Sequence, residues 1–455
     1  MFVGRLEELQ VLQNLLKKPS ASAMIYGKRK VGKTTLIEKA LEVSNDIKIY
    51  YECLKAPLQE NIDGFVDMLV RENVIPVHFT FKSFIDVFAY MNTIDATFNV
   101  VIDEYPYLKS FEKSETIDSI FQVIIDNNLK NIRLFISGSH IGMMKDLLEE
   151  KNALYGRFTI NLCLKELDYV TTAEFYKSKS IYDKIAMYAV FGGSPYINQG
   201  LDEKKTLKDN IIATLLNPTS YIYNYVEHLL ISDYTNSINA ERILYAISNG
   251  KKKYSEIEER LGLKTNGNLS KQLIALEKMD IIAKIYPINK ARDKKKVFYE
   301  IKDNLLRFYY AFIYKNKSAL QMIGAEAFYE EYIKEAIITF ISYRFEEIVR
   351  TYFSLSVKRG KLRGISNIGT FYYDDSVTHS NGEFDVAIER KDVYDIYEVK
   401  YYTVPLQLKE IHNEVSQIRA IKNLNIGKIG FIATAGYEDM PDEYNFIDID
   451  DLYTF

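Results

Sequence analysis

The stretch "MIYGKRKVGKTTL", residues 24–36, decides how the first third of the chain folds. An apolar run ends at Gly27, four residues follow, and Gly32, Lys33 and Thr34 open a helical pattern. This spacing matches G-x-x-x-x-G-K-[ST], in which backbone amides surround phosphate oxygens, the lysine reaches the outer phosphates and the threonine ligates Mg²⁺. A glycine turn that holds no nucleotide is the alternative. The residues predicted to bind nucleotide are Gly27, Lys30, Gly32, Lys33, Thr34 and Thr35.

Around this loop, the first 165 residues alternate short apolar strands with helical stretches, a pattern typical of a parallel sheet covered by helices. The fold class predicted for this part is α/β. The predicted strands span residues 23–26, 47–52, 99–102, 133–137 and 158–164.

A second acidic motif follows the third predicted strand, in "NVVIDEYPYL" at residues 99–108. An apolar strand that ends in two carboxylates suits a division of labour: Asp103 holds magnesium through water, and Glu104 orients or deprotonates an attacking water. An acidic pair after a strand is a weak signal alone. Its position about 70 residues after the phosphate loop makes it a strong one.

Two further features lie near the predicted sheet. "RLFISGSH" ends a strand with Ser137 and Ser139, either of which suits a polar sensor beside the terminal phosphate, although a strand-end turn explains them equally well. "LYGRFTI" contains Arg157, which suits stabilisation of transferring phosphate in the same or a neighbouring subunit. An ordinary surface arginine is the alternative.

The motifs "FVGRLEEL", "YGKRKVGKTTL", "VVIDEYPYL", "FISGSH", "LYGR" and "FGGSPY", in that order, resemble the archaeal-type ATPase family among the AAA+/STAND-related P-loop proteins. The resemblance covers roughly residues 1–235. It implies that Phe2, Val3 and Arg5 lie near the adenine, that a serine of "FISGSH" is a sensor, and that Arg157 is a finger or sensor arginine. It also implies a five-stranded core with a helical lid, and in many members a winged helix and a restriction-endonuclease-like domain.

Changes in periodicity along the chain predict the same order of parts. A tyrosine-rich helical stretch follows the sheet, and three helices and a hairpin come next, which is the order of a winged helix. The predicted parts are a P-loop ATPase core at 1–165, a helical lid at 166–236, a winged helix at 237–302, a helical connector at 303–335 and a restriction-endonuclease-like domain at 336–455.

In a winged helix the third helix enters a DNA groove and the hairpin touches the phosphate backbone. The third helix, near residues 268–279, carries Lys271. Such cations suit phosphate contacts without sequence choice. A domain that packs only against protein, or a solvated lysine-rich face, is the alternative. The cations predicted to contact DNA are Lys271, Arg292, Lys294, Lys295 and Lys296.

"EFDVAIERKDVYDIYEVK", residues 383–400, reads as two strands that carry charges among apolar positions. Glu398 and Lys400 share one face of a strand, and Asp385 lies on the paired strand. The pattern resembles the D-x(n)-E-x-K core of the PD-(D/E)xK nuclease superfamily, in which two carboxylates hold a metal and the lysine positions water or stabilises charge. A charged hairpin whose Glu398 and Lys400 pair at the surface is the alternative.

The flanking helices fit the same resemblance. The superfamily places a glutamate on a helix before the core, and "RFEEIVR" offers Glu347 or Glu346. It often places a glutamine on the helix after the core, and "HNEVSQIRAI" offers Gln417. One departure is that "GEFDV" has no proline before its acidic residue.

Length and composition limit the class of protein and the number of domains. The 455 residues, 47% hydrophobic and 26% charged with a net charge of −4, are globular in character and too many for one core. No signal peptide and no membrane span is expected, so a cytoplasmic protein is predicted. Both cysteines, Cys53 and Cys163, are expected to be buried free thiols.

The leading hypothesis is an ATP- and Mg²⁺-dependent ATPase coupled to a DNA-directed module that cuts or grips DNA, with a possible homo-oligomeric assembly. One alternative is a nucleotide-switched scaffold or regulator that carries an inactive nuclease-like domain. Another is an ATP-dependent remodeller of protein or DNA.

Overall fold

The protein is described by a computed structural model at residues 2–77, 79–226, 240–250, 252–262, 268–290, 293, 296–375, 380–391, 393–421 and 424–454. The chain forms two compact units. The first unit contains Met1–Glu166 and Ser194–Tyr196, and the second contains Leu167–Gly193 and Ile197–Phe455.

The first unit is built on a five-stranded parallel sheet in the order β2-β3-β4-β1-β5. The three inner strands are buried at every position, which explains why they read as continuous apolar runs. The parallel sheet predicted from the sequence is therefore confirmed. Its strands are β1 Ala21–Tyr26, β2 Ile47–Glu52, β3 Phe98–Asp103, β4 Ile132–Gly138 and β5 Ile160–Cys163.

Six helices accompany this sheet, and two apolar clusters fill the unit. The carboxyl ends of parallel strands meet at one edge, so the loop after β1 and the acidic pair at the end of β3 lie at the same edge of the sheet. The helices are α1 Leu6–Leu15, α2 Lys33–Leu41, α3 Leu58–Arg71, α4 Phe84–Met91, α5 Ser114–Asn127 and α6 Ile141–Asp146.

The two cysteines differ in burial. Cys53 is buried and free, whereas Cys163 is exposed. The expectation that both are buried was therefore wrong for Cys163. It ends β5, an edge strand whose alternate residues face water.

Most of the predicted lid groups with the second unit, whereas Ser194–Tyr196 group with the parallel sheet of the first. The Tyr169 hydroxyl donates to the Leu452 carbonyl, and Tyr182 stacks on Tyr401 with ring centroids 4.7 Å apart. These contacts are remote in sequence, so local periodicity does not reveal them. A helical lid subdomain at 166–236 stays a prediction. The helices described in that range are α7 Tyr169–Thr172, α8 Ile181–Phe191, α9 Pro195–Asn198 and α10 Leu207–Thr214.

Next along the chain is a small module of three helices and a three-stranded antiparallel sheet in the order β6-β8-β7. Its third helix buries Leu269, Leu273 and Leu276 and leaves Lys271 exposed. We call residues 240–301 the hairpin module. Its elements are α11 Ala240–Ala246, β6 Lys252–Lys253, α12 Tyr254–Leu261, α13 Asn268–Lys278, β7 Ile282–Ile285 and β8 Phe298–Ile301.

The last part of the second unit contains a five-stranded mixed sheet in the order β13-β12-β11-β10-β9. Strands β9 to β11 pair antiparallel, and β11 to β13 pair parallel. Phe384, Ile396, Ile411 and Phe431 are among its buried core residues. The elements are α14 Asn304–Phe308, α15 Lys317–Phe328, α16 Ile337–Lys358, β9 Asn367–Asp375, β10 Ser380–Arg390, β11 Val393–Lys400, α17 Leu408–Ala420, β12 Ile426–Ala433 and β13 Asn445–Ile447.

The hairpin module covers the free edge of this mixed sheet. The Asn289 side chain donates to the Tyr372 carbonyl at 2.8 Å and accepts from the Tyr372 amide at 3.1 Å, as a neighbouring strand would. Gly369 on the same strand lies so close to Ile288 that a Cβ atom there would meet its side chain at 2.6 Å. The hairpin module is therefore held against β9.

Across the described ranges, no helix is long and apolar enough to cross a membrane.

Candidate functional sites

The loop between β1 and α2 has the backbone that its glycines permit. A Cβ atom on Gly27 would lie 2.2 Å from the Leu164 carbonyl oxygen, so only glycine fits there. Gly32 has φ 97°, a left-handed conformation that favours glycine. The helix begins directly after it, at Lys33, and the amides of a first helical turn are donors that suit an anion.

Lys33 points back into this loop. Its ammonium donates to the carbonyls of Gly27 at 3.0 Å and Lys28 at 3.1 Å, and to the Ser139 hydroxyl at 2.8 Å. The side chain is buried. A buried ammonium held by three neutral oxygens is placed to exchange them for phosphate oxygens.

Asp103 is the hub of the second half of this site. The Thr34 hydroxyl donates to its carboxylate at 3.1 Å, and the Glu104 amide donates at 2.9 Å. The hydroxyls of Tyr50 and Ser137 also donate to it. A threonine hydroxyl and a carboxylate are hard oxygen ligands of the kind that Mg²⁺ prefers, so these residues fit the metal that the phosphate loop implies.

Glu104 is positioned by an unusual backbone and by Ser139. Glu104 has φ 49°, and its carboxylate accepts from the Ser139 amide at 3.1 Å and from the Ser139 hydroxyl at 2.5 Å. The two predicted serines are thereby distinguished: Ser137 contacts Asp103, and Ser139 joins Lys33 to Glu104.

Tyr50 was not predicted from the sequence. It lies on β2 beside β3, and burial together with the Asp103 charge raises the pKa of its hydroxyl, which keeps it protonated as a donor. Tyr50 reaches Asp103 because β2 is the neighbour of β3 in the sheet. A sequence search could have found it only as a tyrosine on a strand expected to lie beside the acidic motif.

The remaining predicted residues of the loop lie nearby. The Lys30 ammonium sits 4.6 Å from the centre of the Tyr196 ring, and its carbonyl accepts from the Ser194 hydroxyl at 3.2 Å. Part of the "FGGSPY" turn therefore touches the loop. Thr35 is exposed at the start of α2. The Arg5 guanidinium donates to the Val31 carbonyl at 3.4 Å.

Arg157 is not brought to the phosphate loop of its own chain. Its backbone carbonyl accepts from Ser22, near the amino end of β1, whereas the phosphate loop follows the carboxyl end of that strand. Its guanidinium pairs with Asp126 at 3.0 Å and donates to Ala153 at 2.8 Å. The structure therefore places Arg157 near the end of β1 opposite to the phosphate loop of its own chain. A role toward a neighbouring subunit stays a prediction.

In the second unit, Asp385, Glu398 and Lys400 lie together on adjacent strands. The Val399 amide donates to the Asp385 carboxylate at 3.0 Å, which brings that carboxylate to β11 beside Glu398. The Lys400 ammonium lies 3.3 Å from the Glu398 carboxylate and 2.9 Å from that of Glu414. Glu398 is only 5% exposed, so a surface pair does not describe this contact.

Burial governs the titration of these groups. Burial raises the pKa of Asp385. It also raises the pKa of Glu398 well above its usual value, and the neighbouring Asp385 charge adds to this. Burial alone would lower the pKa of Lys400, but the Glu398 and Glu414 charges outweigh it and raise that pKa. The site is short of positive charge, so a bound cation would stabilise it.

Helix α16 contributes both predicted glutamates to the same region. Glu346 lies 3.6 Å from the Arg350 guanidinium, and Arg350 in turn donates to the Asp385 carbonyl at 2.7 Å. Glu347 pairs with the buried Arg344. Both glutamates line one cavity with Asp385.

Helix α17 presents a different residue from the one predicted. Glu414 contacts Lys400, whereas Gln417, one turn later, is exposed. The rotation of this helix against the sheet decides which side chain faces Lys400, and a spacing rule cannot supply that rotation. Within the described ranges, no group of three acidic, histidine or cysteine side chains forms a ready metal cage.

Two of the cations predicted to contact DNA can be placed. Lys271 is exposed on α13, and Lys296 lies over the Tyr372 ring at 4.1 Å, a contact inside the protein. Arg292, Lys294 and Lys295 lie outside the described residues.

Comparisons with known proteins agree with the phosphate-loop geometry. A family described as an ATPase domain predominantly from Archaea matches residues 2–197, and one described as Archaea bacterial proteins of unknown function matches residues 309–414. The uncharacterized protein MJECL04 of Methanocaldococcus jannaschii is 30% identical over 367 residues, 80% of this chain and 79% of that protein. This chain belongs to the archaeal-type ATPase family.

Solved structures resemble this archaeal-type ATPase to different degrees. The Walker-type ATPase PABY2304 of Pyrococcus abyssi is 20% identical, with a TM-score of 0.50 over 68% of this chain and 96% of that one. The ORC2 protein of Aeropyrum pernix is 14% identical, with a TM-score of 0.45 over 70% and 94% of the two chains. Only the first likeness is close enough to indicate a shared fold, that of a P-loop ATPase.

Proposed function

We propose that this archaeal-type ATPase binds and hydrolyses ATP in its first unit and acts on DNA with its second, as a Mg²⁺-dependent nuclease. The observation that carries the nuclease part is the convergence of Asp385, Glu398 and Lys400 on neighbouring strands. The order of elements supports a winged helix at 237–302 and a restriction-endonuclease-like domain at 336–455.

In the first unit, Lys33 exchanges its neutral oxygens for the outer phosphates, and the amides at the start of α2 face the phosphate charge. Thr34 and Asp103 would hold Mg²⁺, which when bound neutralises charge that develops on the phosphates. Glu104 orients the attacking water and accepts its proton. Ser139 couples these steps because it contacts both Lys33 and Glu104.

In the second unit, Asp385 and Glu398 would hold Mg²⁺, which when bound lowers the pKa of a water and stabilises charge on a phosphodiester. Lys400 positions that water or stabilises the leaving charge. Its raised pKa keeps the ammonium charged at neutral pH, which suits the second role.

Cleavage of labelled DNA by the full chain tests the nuclease part. We expect Mg²⁺-dependent cleavage by the wild type and a loss of at least 100-fold for Asp385→Ala and for Lys400→Ala. Lys409→Ala, which removes an exposed lysine from α17, serves as the matched control. Equal behaviour of the wild type and all three variants would refute the nuclease assignment.

One observation favours a second candidate, a nucleotide-switched scaffold or regulator. The Lys400 ammonium already lies between two carboxylates, at 3.3 and 2.9 Å, where its positive charge replaces part of that of a divalent metal ion. This candidate predicts tight retention of nucleotide, very slow turnover and no divalent cation at Asp385 and Glu398. Measurement of bound nucleotide after gel filtration, together with single-turnover hydrolysis, separates it from the nuclease.

Assembly into a homo-oligomer would give Arg157 a role at a neighbour's phosphate loop. In that case Arg157→Ala lowers ATP turnover in the assembled protein and leaves nucleotide affinity unchanged. Lys151→Ala, an exposed lysine six residues earlier, is the control. Equal turnover in Arg157→Ala and the wild type would leave the arginine as a partner of Asp126 alone.

A further inference from the structure

A cavity of about 570 Å³ lies in the second unit between the hairpin module and the mixed sheet. Lys252, Lys284 and Tyr286 line it from the hairpin module. Asp385 and Tyr343 line it from the other side. Its volume falls in the range of about 300–1,000 Å³ that holds a small ligand or part of a chain.

The two walls of this cavity differ in charge, although Glu300 of the hairpin module also lines it and pairs with Arg307 at 2.8 Å. The hairpin module contributes lysines from β6 and β7, whereas Glu346, Glu383 and Asp385 come from α16 and β10. Glu346 is held by Arg350 at 3.6 Å. A polyanion would therefore find ammonium groups on one wall and, on the other, Asp385, one of the two carboxylates that are proposed to hold the metal.

Two buried polar atoms on lining residues lack a partner among the described residues. They are Nε of Arg307 and Oγ1 of Thr370, each on a side chain that is 4% exposed. Arg307 also donates to Glu300 at 2.8 Å, and burial lowers its pKa to about 10. Arg307 and Thr370 therefore add polar side chains to the lining of this cavity.

Two tyrosine rings stand at this cavity with large exposed surfaces. Tyr286 is 39% exposed and Tyr343 is 54% exposed. The Lys284 ammonium lies 5.5 Å from the centre of the Tyr286 ring. Exposed aromatic rings beside lysines are the combination that binds single-stranded nucleic acid, in which rings stack on bases and ammonium groups contact phosphates.

We propose that this cavity binds a single strand of nucleic acid, with phosphates on Lys252 and Lys284 and unpaired bases on Tyr286 and Tyr343. The proposal rests on the proposed nuclease function because it leads the strand to Asp385. Paired bases already stack on one another and offer no free face to a tyrosine ring. The substrate class is therefore a single strand or a single-stranded end, and a continuous duplex is excluded from the cavity.

Binding of fluorescein-labelled 15-mers to the full chain tests this in EDTA, where cleavage cannot remove the probe. The probes are oligo(dT), oligo(rU) and a DNA duplex of mixed sequence. We expect each single strand to bind at least ten-fold more tightly than the duplex. The two single-stranded probes decide between DNA and RNA as the natural source.

Variants connect the affinity to the cavity. We expect Tyr286→Ala and Tyr343→Ala each to weaken single-strand binding about ten-fold, because each loses one stacked base. Lys284→Ala is expected to reduce the slope of log Kd against log salt by about 0.7, the value for one lost contact with a single strand. Tyr332→Ala is the matched control, since Tyr332 is 38% exposed in the same unit and does not line the cavity.

Equal affinity for single strand and duplex, or wild-type affinity in both cavity tyrosine variants, would overturn the proposal. Weakening by Lys271→Ala alone would also overturn it, because α13 would then carry the binding. These results are independent of cleavage: a chain that binds single strands through the tyrosines but never cuts them refutes the nuclease and keeps the binding site.

Discussion

The two carboxylate pairs of the molecule, Asp103 with Glu104 and Asp385 with Glu398, lie in very different surroundings. In the first unit, hydroxyls and backbone amides donate to both carboxylates. In the second, Asp385 accepts from a backbone amide and Glu398 is paired with a lysine, and the pKa of each carboxyl group is raised. Neutral donors prepare the first pair for its ligand. The two carboxylates of the second pair repel each other, so a bound cation would stabilise the second pair more than the first.

The largest effect is expected at the phosphate loop. Lys33→Ala removes the ammonium that contacts two loop carbonyls and Ser139, and we expect ATP turnover to fall by at least 100-fold. Phosphate release at saturating ATP measures it. Lys39→Ala is the control on the same helix, because Lys39 pairs only with Glu42 among its described ion pairs. Turnover within a few-fold of wild type would remove this loop from catalysis.

The second pair makes a prediction about stability and pH. A carboxyl group whose pKa is raised by folding binds more protons in the folded state, so the free energy of unfolding falls as pH rises from about 4.3, the unfolded value, through the raised value. Gln cannot ionise. We therefore expect Glu398→Gln to be more stable than wild type at pH 8 by about 1–3 kcal/mol and similar at pH 4.

Chemical denaturation in EDTA at both pH values measures this difference. Lys400 retains Glu414 in the variant, so its charge stays paired. Glu389→Gln, on β10 beside Tyr394, is the control for the exchange of a glutamate for a glutamine on the same sheet. A Glu398→Gln variant that is less stable than wild type at pH 8 would show that the lysine pair outweighs burial.

A divalent cation at the second pair is also expected to raise stability at high pH, because it offsets the charge of the two carboxylates. Without nucleotide, Mg²⁺ at about five times its Kd is expected to stabilise the second unit by about 1 kcal/mol at pH 8. The gain should shrink at pH 5 because protons compete for both carboxylates. We expect Asp385→Asn to abolish it and Asp103→Asn to keep it. Thermal unfolding with and without Mg²⁺ measures the shift, and an unchanged shift in Asp385→Asn would exclude a metal at that site.

The comparison also separates what local sequence determines from what it does not. Short, mostly apolar stretches between helical patterns located all five strands of the first sheet, with ends that differ by two residues or fewer. The phosphate loop was predicted equally well, because the residues that form it follow one another in the sequence. In the mixed sheet, the alternation of side chains along two predicted strands placed Glu398 and Lys400 on one face. The pairing of these strands placed Asp385 beside them.

Features that depend on packing between distant parts of the chain could not be predicted from local sequence. Glu414 and not Gln417 faces Lys400 because of how α17 rotates on its sheet. Most of the predicted lid groups with the second unit through contacts such as that of Tyr169 with Leu452, 283 residues apart. Arg157 lies at the wrong end of β1 for its own phosphate loop, a fact that follows from where the chain re-enters the sheet.

The smallest expected effect concerns Tyr50, a member of the first site that only the strand order reveals. Its hydroxyl donates to Asp103, so Tyr50→Phe leaves that carboxylate with one donor fewer. One such hydrogen bond is worth about 1 kcal/mol, which corresponds to a roughly five-fold higher Mg²⁺ concentration at half-maximal ATP turnover. Titration of Mg²⁺ at saturating ATP measures it.

Tyr51 provides a control that differs by a single position. Successive residues of a strand face opposite sides, and the Tyr51 hydroxyl donates instead to Asn61 at 3.0 Å, among buried side chains. Tyr51→Phe is therefore expected to lower stability and leave the Mg²⁺ requirement unchanged. If Tyr50→Phe behaved in the same way, the tyrosine would be a packing residue, and the neutral donors to Asp103 would reduce to Thr34, Ser137 and the Glu104 amide.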